Sequence, residues 1–266
     1  EDLDRDRSSE GAAARQLADL AAIGLDWDGA PVLQSDRAAD HAAAIVRLEA
    51  EGLVYECTCT RREILEAPSA PHAPPGAYPG TCRDRSPEER AAARAAIAPR
   101  LPALRLRAPE GAREAGFTDL LLGQVTGTID DLVLRRGDGA VAYNLAVVVD
   151  DAAMGVDQVV RGDDLASTTP RQLLLQRLLG LPTPEYAHVP LVLGPSGARL
   201  AKRDGAVTLG DLAQQGVDAA AVRALLAVSL GLATAGERPD MGMLLERFDS
   251  ARLPREPWVF PAAQPG

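Results

Sequence analysis

No stretch of this chain approaches the ~18 consecutive apolar residues that a membrane-spanning helix needs. Its opening, Glu1-Asp2-Leu3-Asp4-Arg5-Asp6-Arg7, has nothing of the apolar core of a signal peptide. The expectation is a cytoplasmic protein with no membrane partner. Positive charge is also in deficit: 28 Lys and Arg stand against 38 Asp and Glu, for a net charge of −10. Such a chain does not hold nucleic acid through bulk charge, so any RNA contact needs a local basic patch. Histidine occurs only at His41, His72 and His188, and cysteine only at Cys57, Cys59 and Cys82. Aromatic residues make up 3% and alanine is abundant, and neither fact points to a function. The 266 residues, 46% of them hydrophobic and 25% charged, suffice for a packed core in one large domain or two smaller ones.

Helix signals open the chain. Ser8 or Ser9 can cap a helix running to about Ile23, with Leu17, Leu20 and Ile23 on one face and Gly24 as its stop. After a loop at Leu25–Gly29, Ser35 can cap a second helix with Ala38, Ala42, Ile45 and Leu48 on its apolar face and Gly52 at its end. Between positions 83 and 107, Arg83, Arg85, Arg90, Arg94, Arg100, Arg105 and Arg107 face only Asp84, Glu88 and Glu89. This stretch reads either as the local basic patch an RNA would need or as a solvated helix face.

The three cysteines fall within 26 positions, as Cys57-Thr58-Cys59 and then Cys82, separated by a loop rich in Pro and Gly from Pro68 to Gly76. In a cytosolic chain such clustering reads as metal before disulfide. Zinc takes four soft or borderline ligands in a tetrahedron, so three thiolates leave one place to fill. Chemistry alone offers His72 for it.

Further on, Thr126-Gly127-Thr128 and Gly137-Asp138-Gly139 read as hairpin turns. Val141 to Asp151 is the most apolar stretch, and Tyr143–Asp151 within it reads as a helix or a strand-to-helix segment. Val156–Val160 reads as a short strand. Arg161 then stands at a strand's C-terminal end, where open α/β sheets bind ligands, and its fork can grip a carboxylate. A salt bridge to Asp163 or Asp164 is the plainer alternative. Thr169-Pro170 reads as a cap and first helical position, with Gly180 as the stop. His188, beside a buried strand, reads as structural and stays outside the site.

The stretch Arg199-Leu200-Ala201-Lys202-Arg203 concentrates charge. An apolar run, Val189–Leu193, and a Gly194-Pro195-Ser196-Gly197 turn lead into it, and Gly205 lets the backbone bend sharply after it. Clustered cations on a loop suit a polyphosphate whose charge shifts during reaction, and equally describe a solvated hairpin tip. Three short helices follow, capped by Thr208, Asp218 and Asp240.

This loop resembles the second signature loop of class I aminoacyl-tRNA synthetases of the glutamyl branch, which reads Lys-Met/Leu-Ser-Lys-Arg/Ser. Arg199 replaces the first Lys and Ala201 the Ser, so the charge survives and the hydroxyl does not. On that match Arg199, Leu200, Ala201, Lys202 and Arg203 bind ATP, and Lys202 is the catalytic candidate. Glu1-Asp2-Leu3-Asp4 resembles the family's Arg-Ile-Glu-Asp-x-Asp stretch, and Gly24–Asp28 and Gln34-Ser35-Asp36-Arg37 follow in the family's order. Tyr143-Asn144-Leu145-Ala146 and Val160-Arg161-Gly162-Asp163-Asp164-Leu165 match its glutamate-binding motifs, which assigns Tyr143, Arg161 and Glu1 to glutamate. Cys-x-Cys followed by Tyr-x-x-x-Cys is how the glutamyl-Q tRNA(Asp) synthetase family holds a structural zinc. The ligands that match implies are Cys57, Cys59, Tyr78 and Cys82.

The resemblance implies an α/β architecture: a Rossmann-type nucleotide-binding fold, an inserted zinc-bearing α+β domain that grips the acceptor-type end of tRNA, and a short C-terminal helical region. The expected divisions are 1–52 and 141–209 for the two parts of the catalytic domain, 53–140 for the insert and 210–266 for the helices. No histidine stands in the family's first signature motif, so an N-terminal segment is expected to be missing. Only 57 residues follow Leu209, too few for a large anticodon-binding region. The implied function is a ligase that activates L-glutamate with ATP, taken with Mg2+, and passes it to queuosine at the wobble position of tRNA(Asp), acting as a monomer. A truncated glutamyl-tRNA synthetase and a non-catalytic, zinc-stabilised tRNA-binding module are the alternatives.

Overall fold

A computed structural model describes residues 2–4, 8–67, 77–198 and 208–260. The chain divides into two compact units, one of Glu1–Arg7, Val32–Val159 and Leu165–Ala187, the other of Ser8–Pro31, Val160–Asp164 and His188–Gly266. Helix α1 (Glu10–Ala22) belongs to the second unit. The first unit holds α2 (Ala38–Ala50), β1 (Val54–Cys57), α3 (Arg61–Glu66), α4 (Pro87–Ala96), β2 (Ala103–Leu106), β3 (Glu114–Asp119), β4 (Gly123–Thr128), β5 (Val133–Arg135) and α5 (Tyr143–Met154). Strand β6 (Gln158–Gly162), helix α6 (Thr169–Leu178) and strand β7 (Glu185–Val189) follow, with β6 and β7 paired. The second unit closes with β8 (Val192–Leu193), α7 (Leu209–Gln214), α8 (Ala219–Ser229), α9 (Met241–Arg247) and β9 (Trp258–Val259). Among the described residues no helix is long and apolar enough to cross a membrane.

In the first unit, β1, β2 and β5 form an antiparallel sheet, with β2 central. One side of it carries the core. Leu104, Leu106 and Leu134 from the strands meet Ile45 and Leu48 of α2, Leu145 and Val148 of α5, and Leu174 and Leu175 of α6. Each such side chain contributes roughly 1.5–3 kcal/mol when fully buried. Strands β3 and β4 make a separate hairpin, in register from Glu114↔Thr128 to Asp119↔Gly123. Asp119 caps its tip by accepting the N–H groups of Leu121 and Leu122, both at 2.9 Å. Tyr186 anchors the hairpin: its ring meets Phe117 edge-on at 5.7 Å, and its hydroxyl accepts a 2.9 Å bond from Gln176.

Four helices of the second unit begin where capping residues predict. Ser9, Thr208, Asp218 and Asp240 accept the N–H groups of Ala12, Asp211, Ala221 and Met243. Strands β8 and β9 pair in parallel, and Trp258 and Phe260 pack edge to face.

Several local expectations are corrected. Ser35 does not cap α2. It lies in a 3-10 turn, Gln34–Arg37, where its N–H and hydroxyl both reach the Asp2 carboxylate. Helix α2 buries His41, Ala44, Ile45 and Leu48, while Ala38 and Ala42 face outward. Its stripe is therefore shifted toward a histidine that apolarity alone would not select. Thr126-Gly127-Thr128 is strand, not turn. A Cβ on Gly127 would stand 2.6 Å from the Ser167 carbonyl oxygen and 3.0 Å from Pro170 Cγ, so this glycine marks close packing. The Gly137–Gly139 turn is as read, with Gly139 N–H bonded to the Arg136 carbonyl. Thr169 is the first residue of α6 rather than its cap; Thr168 stands at the cap position with its hydroxyl donated to the Leu165 carbonyl, and the strand expected at Val156–Val160 lies two residues later.

Candidate functional site

The cysteines converge. Strand β1 delivers Cys57 at its end, and Cys59 follows just before α3, whose start is held by a capping box between Thr60 and Glu63. Tyr78 and Cys82 enter from a turn closed by the bond from Arg83 N–H to the Gly80 carbonyl, 2.8 Å. The three thiol sulfurs all lie within 4.8 Å of one another, with Cys59 and Cys82 at 3.5 Å. The Tyr78 hydroxyl stands 3.4 Å from Cys57 Sγ and accepts the Cys82 N–H at 2.8 Å. A tetrahedral ion with metal–sulfur distances of about 2.3 Å sets its sulfurs about 3.8 Å apart. The donors therefore fit a metal of zinc's size with little movement. His72, the other candidate for the fourth place, lies outside the described residues.

Charge in this cluster is already organised. The Cys82 thiol is pulled down to about 4, first by its hydrogen bond with Cys57 and, against burial, also by Tyr78. The same bond, and then burial, push Cys57 up, while burial and then Cys82 push Cys59 up. Tyr78 is raised by burial and then by its bond with Cys57. A buried cation stands beside this cluster. The Arg105 guanidinium lies 3.6 Å from the centroid of the Tyr78 ring, with Arg105 only 6% exposed.

Arg105 itself donates to the Asp131 carbonyl at 2.8 Å. The Asp131 side chain, 1% exposed, accepts from the Tyr55 hydroxyl (2.7 Å), Arg83 (2.6 Å), Arg113 (3.1 Å) and the Ala108 N–H (3.1 Å). Burial and the bond to Asp131 push Tyr55 upward, so it stays a neutral donor. The arginines between positions 83 and 107 find partners around this cluster. Arg85 and Arg100 hold the Thr58 hydroxyl and carbonyl, Arg94 pairs with Glu56, and Arg107 pairs with Asp84. Counting charge along the chain could not see these partners.

The residues expected to meet substrate are placed one by one. Tyr143 is the first residue of α5 and is exposed. Beside it, the Asn144 side-chain oxygen accepts from Gln172 at 3.1 Å. Arg161 is the penultimate residue of β6, in the second unit, where its Nε donates to His188 Nε2 at 3.1 Å. Glu1, Arg199, Leu200, Ala201, Lys202 and Arg203 lie outside the described residues.

Besides Asp119 at the hairpin tip, two buried carboxylates escaped sequence reasoning. One is Asp131. The other is Asp150, which gathers Gln34 (3.2 Å), Arg37 (2.6 Å) and His41 (2.9 Å), tying the start of α2 to α5. A signal was present: each belongs to an Asp-Asp pair flanked by apolar residues, and a buried carboxylate needs partners.

Residues 1–259 match the family model described as tRNA synthetases class I (E and Q), catalytic domain. The chain is 61% identical over 259 residues to the glutamyl-Q tRNA(Asp) synthetase of Nocardia farcinica, covering 97% of this chain and 80% of that protein. It is 46% identical over 276 residues to the protein of the same name from Symbiobacterium thermophilum, covering 98% and 84%. The crystal structure of glutamate-tRNA synthetase from Elizabethkingia anophelis superposes with a TM-score of 0.78 at 23% identity, covering 98% of this chain and 60% of that one. The chain thus spans about four fifths of the two sequence relatives and three fifths of the solved structure. At that identity the solved structure speaks for the fold, which is that of a class I synthetase catalytic domain.

Proposed function

This chain belongs to the class I tRNA synthetases of the E and Q group, and from that premise we propose that it activates glutamate with ATP and passes the glutamyl group to queuosine in tRNA(Asp). The observation that carries this reading is the 61% identity, over nearly the whole chain, to a relative bearing that activity in its name. The convergence of Cys57, Cys59, Tyr78 and Cys82 supports it.

In the first step a glutamate carboxylate oxygen attacks the α-phosphorus of ATP, giving glutamyl-adenylate and pyrophosphate. Arg161 grips a substrate carboxylate through its planar fork, and the family resemblance assigns Tyr143 and Glu1 to the same substrate. Lys202, with Arg199 and Arg203, offsets charge on the β- and γ-phosphates of Mg2+-bound ATP as pyrophosphate leaves. Holding the two reactants in this orientation supplies much of the acceleration, of order several kcal/mol. In the second step a nucleophile of the queuosine base takes the glutamyl group and AMP departs. A tRNA substrate places the reaction in the cytoplasm.

Cys57, Cys59, Tyr78 and Cys82 hold a structural zinc in this reading. Bound there, it would fix the turn that carries Tyr78 and Cys82 to the end of β1. An inserted tRNA-gripping domain around this cluster is part of the same proposal.

The test is glutamate-dependent ATP–pyrophosphate exchange without tRNA, followed by transfer of labelled glutamate to tRNA(Asp) with and without queuosine. Exchange, then labelling of queuosine-bearing tRNA(Asp) alone, is expected. Labelling of the 3′ end of a glutamate tRNA would overturn the acceptor assignment. A folded chain that neither exchanges nor binds glutamate would overturn the activation step.

A further inference from the structure

We propose that His188 is a positioning residue for the amino-acid substrate: its imidazole holds the Arg161 guanidinium in the orientation that receives the carboxylate. This rests on the reading of Arg161 as a glutamate-binding residue. The contact is specific. Arg161 Nε–H donates to His188 Nε2 at 3.1 Å, so that nitrogen presents its lone pair and the ring carries its proton on Nδ1. His188 is 0% exposed.

A buried ring on a strand has few orientations open to it, and it passes that restriction to whatever it binds. Bonding Nε fixes the final torsions of the arginine, so the end-on pair of Nη groups points in a set direction. The segment is closely packed on its other side as well. A Cβ on Gly162, the next residue, would stand 2.8 Å from Asp164 Oδ1 and 3.0 Å from Leu191 Cδ2, so these two side chains lie tight against the end of β6. Arginine side chains lose much rotamer entropy when held, and prior fixing removes part of that cost from substrate binding. A histidine serving the core alone would not need its acceptor nitrogen turned toward a half-buried arginine.

The experiment uses the full chain with His188→Leu, His188→Gln and Arg161→Ala. Calorimetric affinity for L-glutamate is read beside the glutamate and ATP KM values in pyrophosphate exchange. The leucine variant is expected to bind glutamate about 10- to 100-fold more weakly, with the ATP KM within about twofold of the parent. The glutamine variant, whose carbonyl can accept the same Nε–H, is expected to recover most of the loss. If leucine at 188 prevents folding, His188→Asn replaces it, since its shorter carbonyl stops short of Nε. Parental glutamate affinity in the leucine or asparagine variant, or equal losses in both polar variants, would overturn the proposal provided Arg161→Ala abolishes binding. Unchanged glutamate affinity in Arg161→Ala would instead remove the underlying reading of Arg161, and this proposal with it.

Discussion

Arg105 lies over Tyr78, its guanidinium carbon 3.6 Å from the ring centroid, and the two meet where three cysteine sulfurs converge. The pair joins a candidate metal ligand to a buried cation. Three thiolates and a phenolate around a divalent ion leave surplus negative charge, which a buried site tolerates poorly. Arg105 offsets it without occupying a coordination position.

Removing that cation is therefore expected to weaken metal binding while leaving every ligand in place. Arg105→Met should lower zinc affinity by about 10- to 100-fold, the usual cost of losing a partner that supports the ligands. Competition against a chromogenic chelator measures it. Parental affinity in a folded variant would show that Arg105 serves packing alone. Stripping the metal from the parent should lower its Tm, because binding to the folded state adds to stability.

Asp131 concentrates more bonds than any apolar neighbour can replace. Asp131→Ala leaves Arg83 and the Tyr55 hydroxyl facing a buried gap. The expected loss is about 3–5 kcal/mol, the range for breaking a buried pair from one side. Tyr55→Phe removes only one neutral donor to a charged acceptor and should cost about 1.5–3 kcal/mol. Urea unfolding of both variants tests the order. A cost for Tyr55→Phe as large as that for Asp131→Ala would contradict it.

Gly127 offers a steric test. In Gly127→Ala the new methyl meets the Ser167 carbonyl oxygen at 2.6 Å, and the backbone must shift. A loss of about 1–3 kcal/mol is expected, as for other overpacked sites. Gly111→Ala, where a Cβ meets nothing within 4 Å, should be close to neutral. Equal Tm shifts in the two variants would mean the hairpin is not held against Ser167 and Pro170.

Acid titration should single out Glu237. Its carboxylate is held at about 2, below the ordinary 4.5, first by the hydrogen bond from Arg247 and then by the Thr234 N–H. Because the folded value is depressed, the stability it supplies is present above the unfolded value and is lost as pH falls from about 4.5 through about 2. Carbon-detected NMR of the side chain should give a midpoint near 2 in the parent, rising toward the ordinary value in Arg247→Met. A parent midpoint at the ordinary value would refute the pairing.

Local chemistry made much of this molecule legible. Ser9, Thr208, Asp218 and Asp240 announce their helices because a cap needs only its own side chain and an N–H group three residues on. The same locality explains the Gly137–Gly139 turn and the cysteine spacing. Where the reading failed, the deciding atoms came from far along the chain. Ser35 was a sound cap until Asp2 took its hydroxyl, and Gly127 looked like a turn because Ser167 and Pro170 are forty residues away.

By itself, then, the sequence determined the capped helices, the clustering of Cys57, Cys59 and Cys82, and the motifs that tie the chain to its family. Only the tertiary structure decided which charges are partnered. Arg83 and Arg105, from the arginine-rich stretch, and Arg113 beyond it converge on Asp131, and Gln34, Arg37 and His41 converge on Asp150. The physical reason is that a buried charge is satisfied by whatever the fold brings within about 3 Å, and separation along the chain says nothing about that distance. His188 and Arg161, 27 positions apart and bonded at 3.1 Å, belong to the same class.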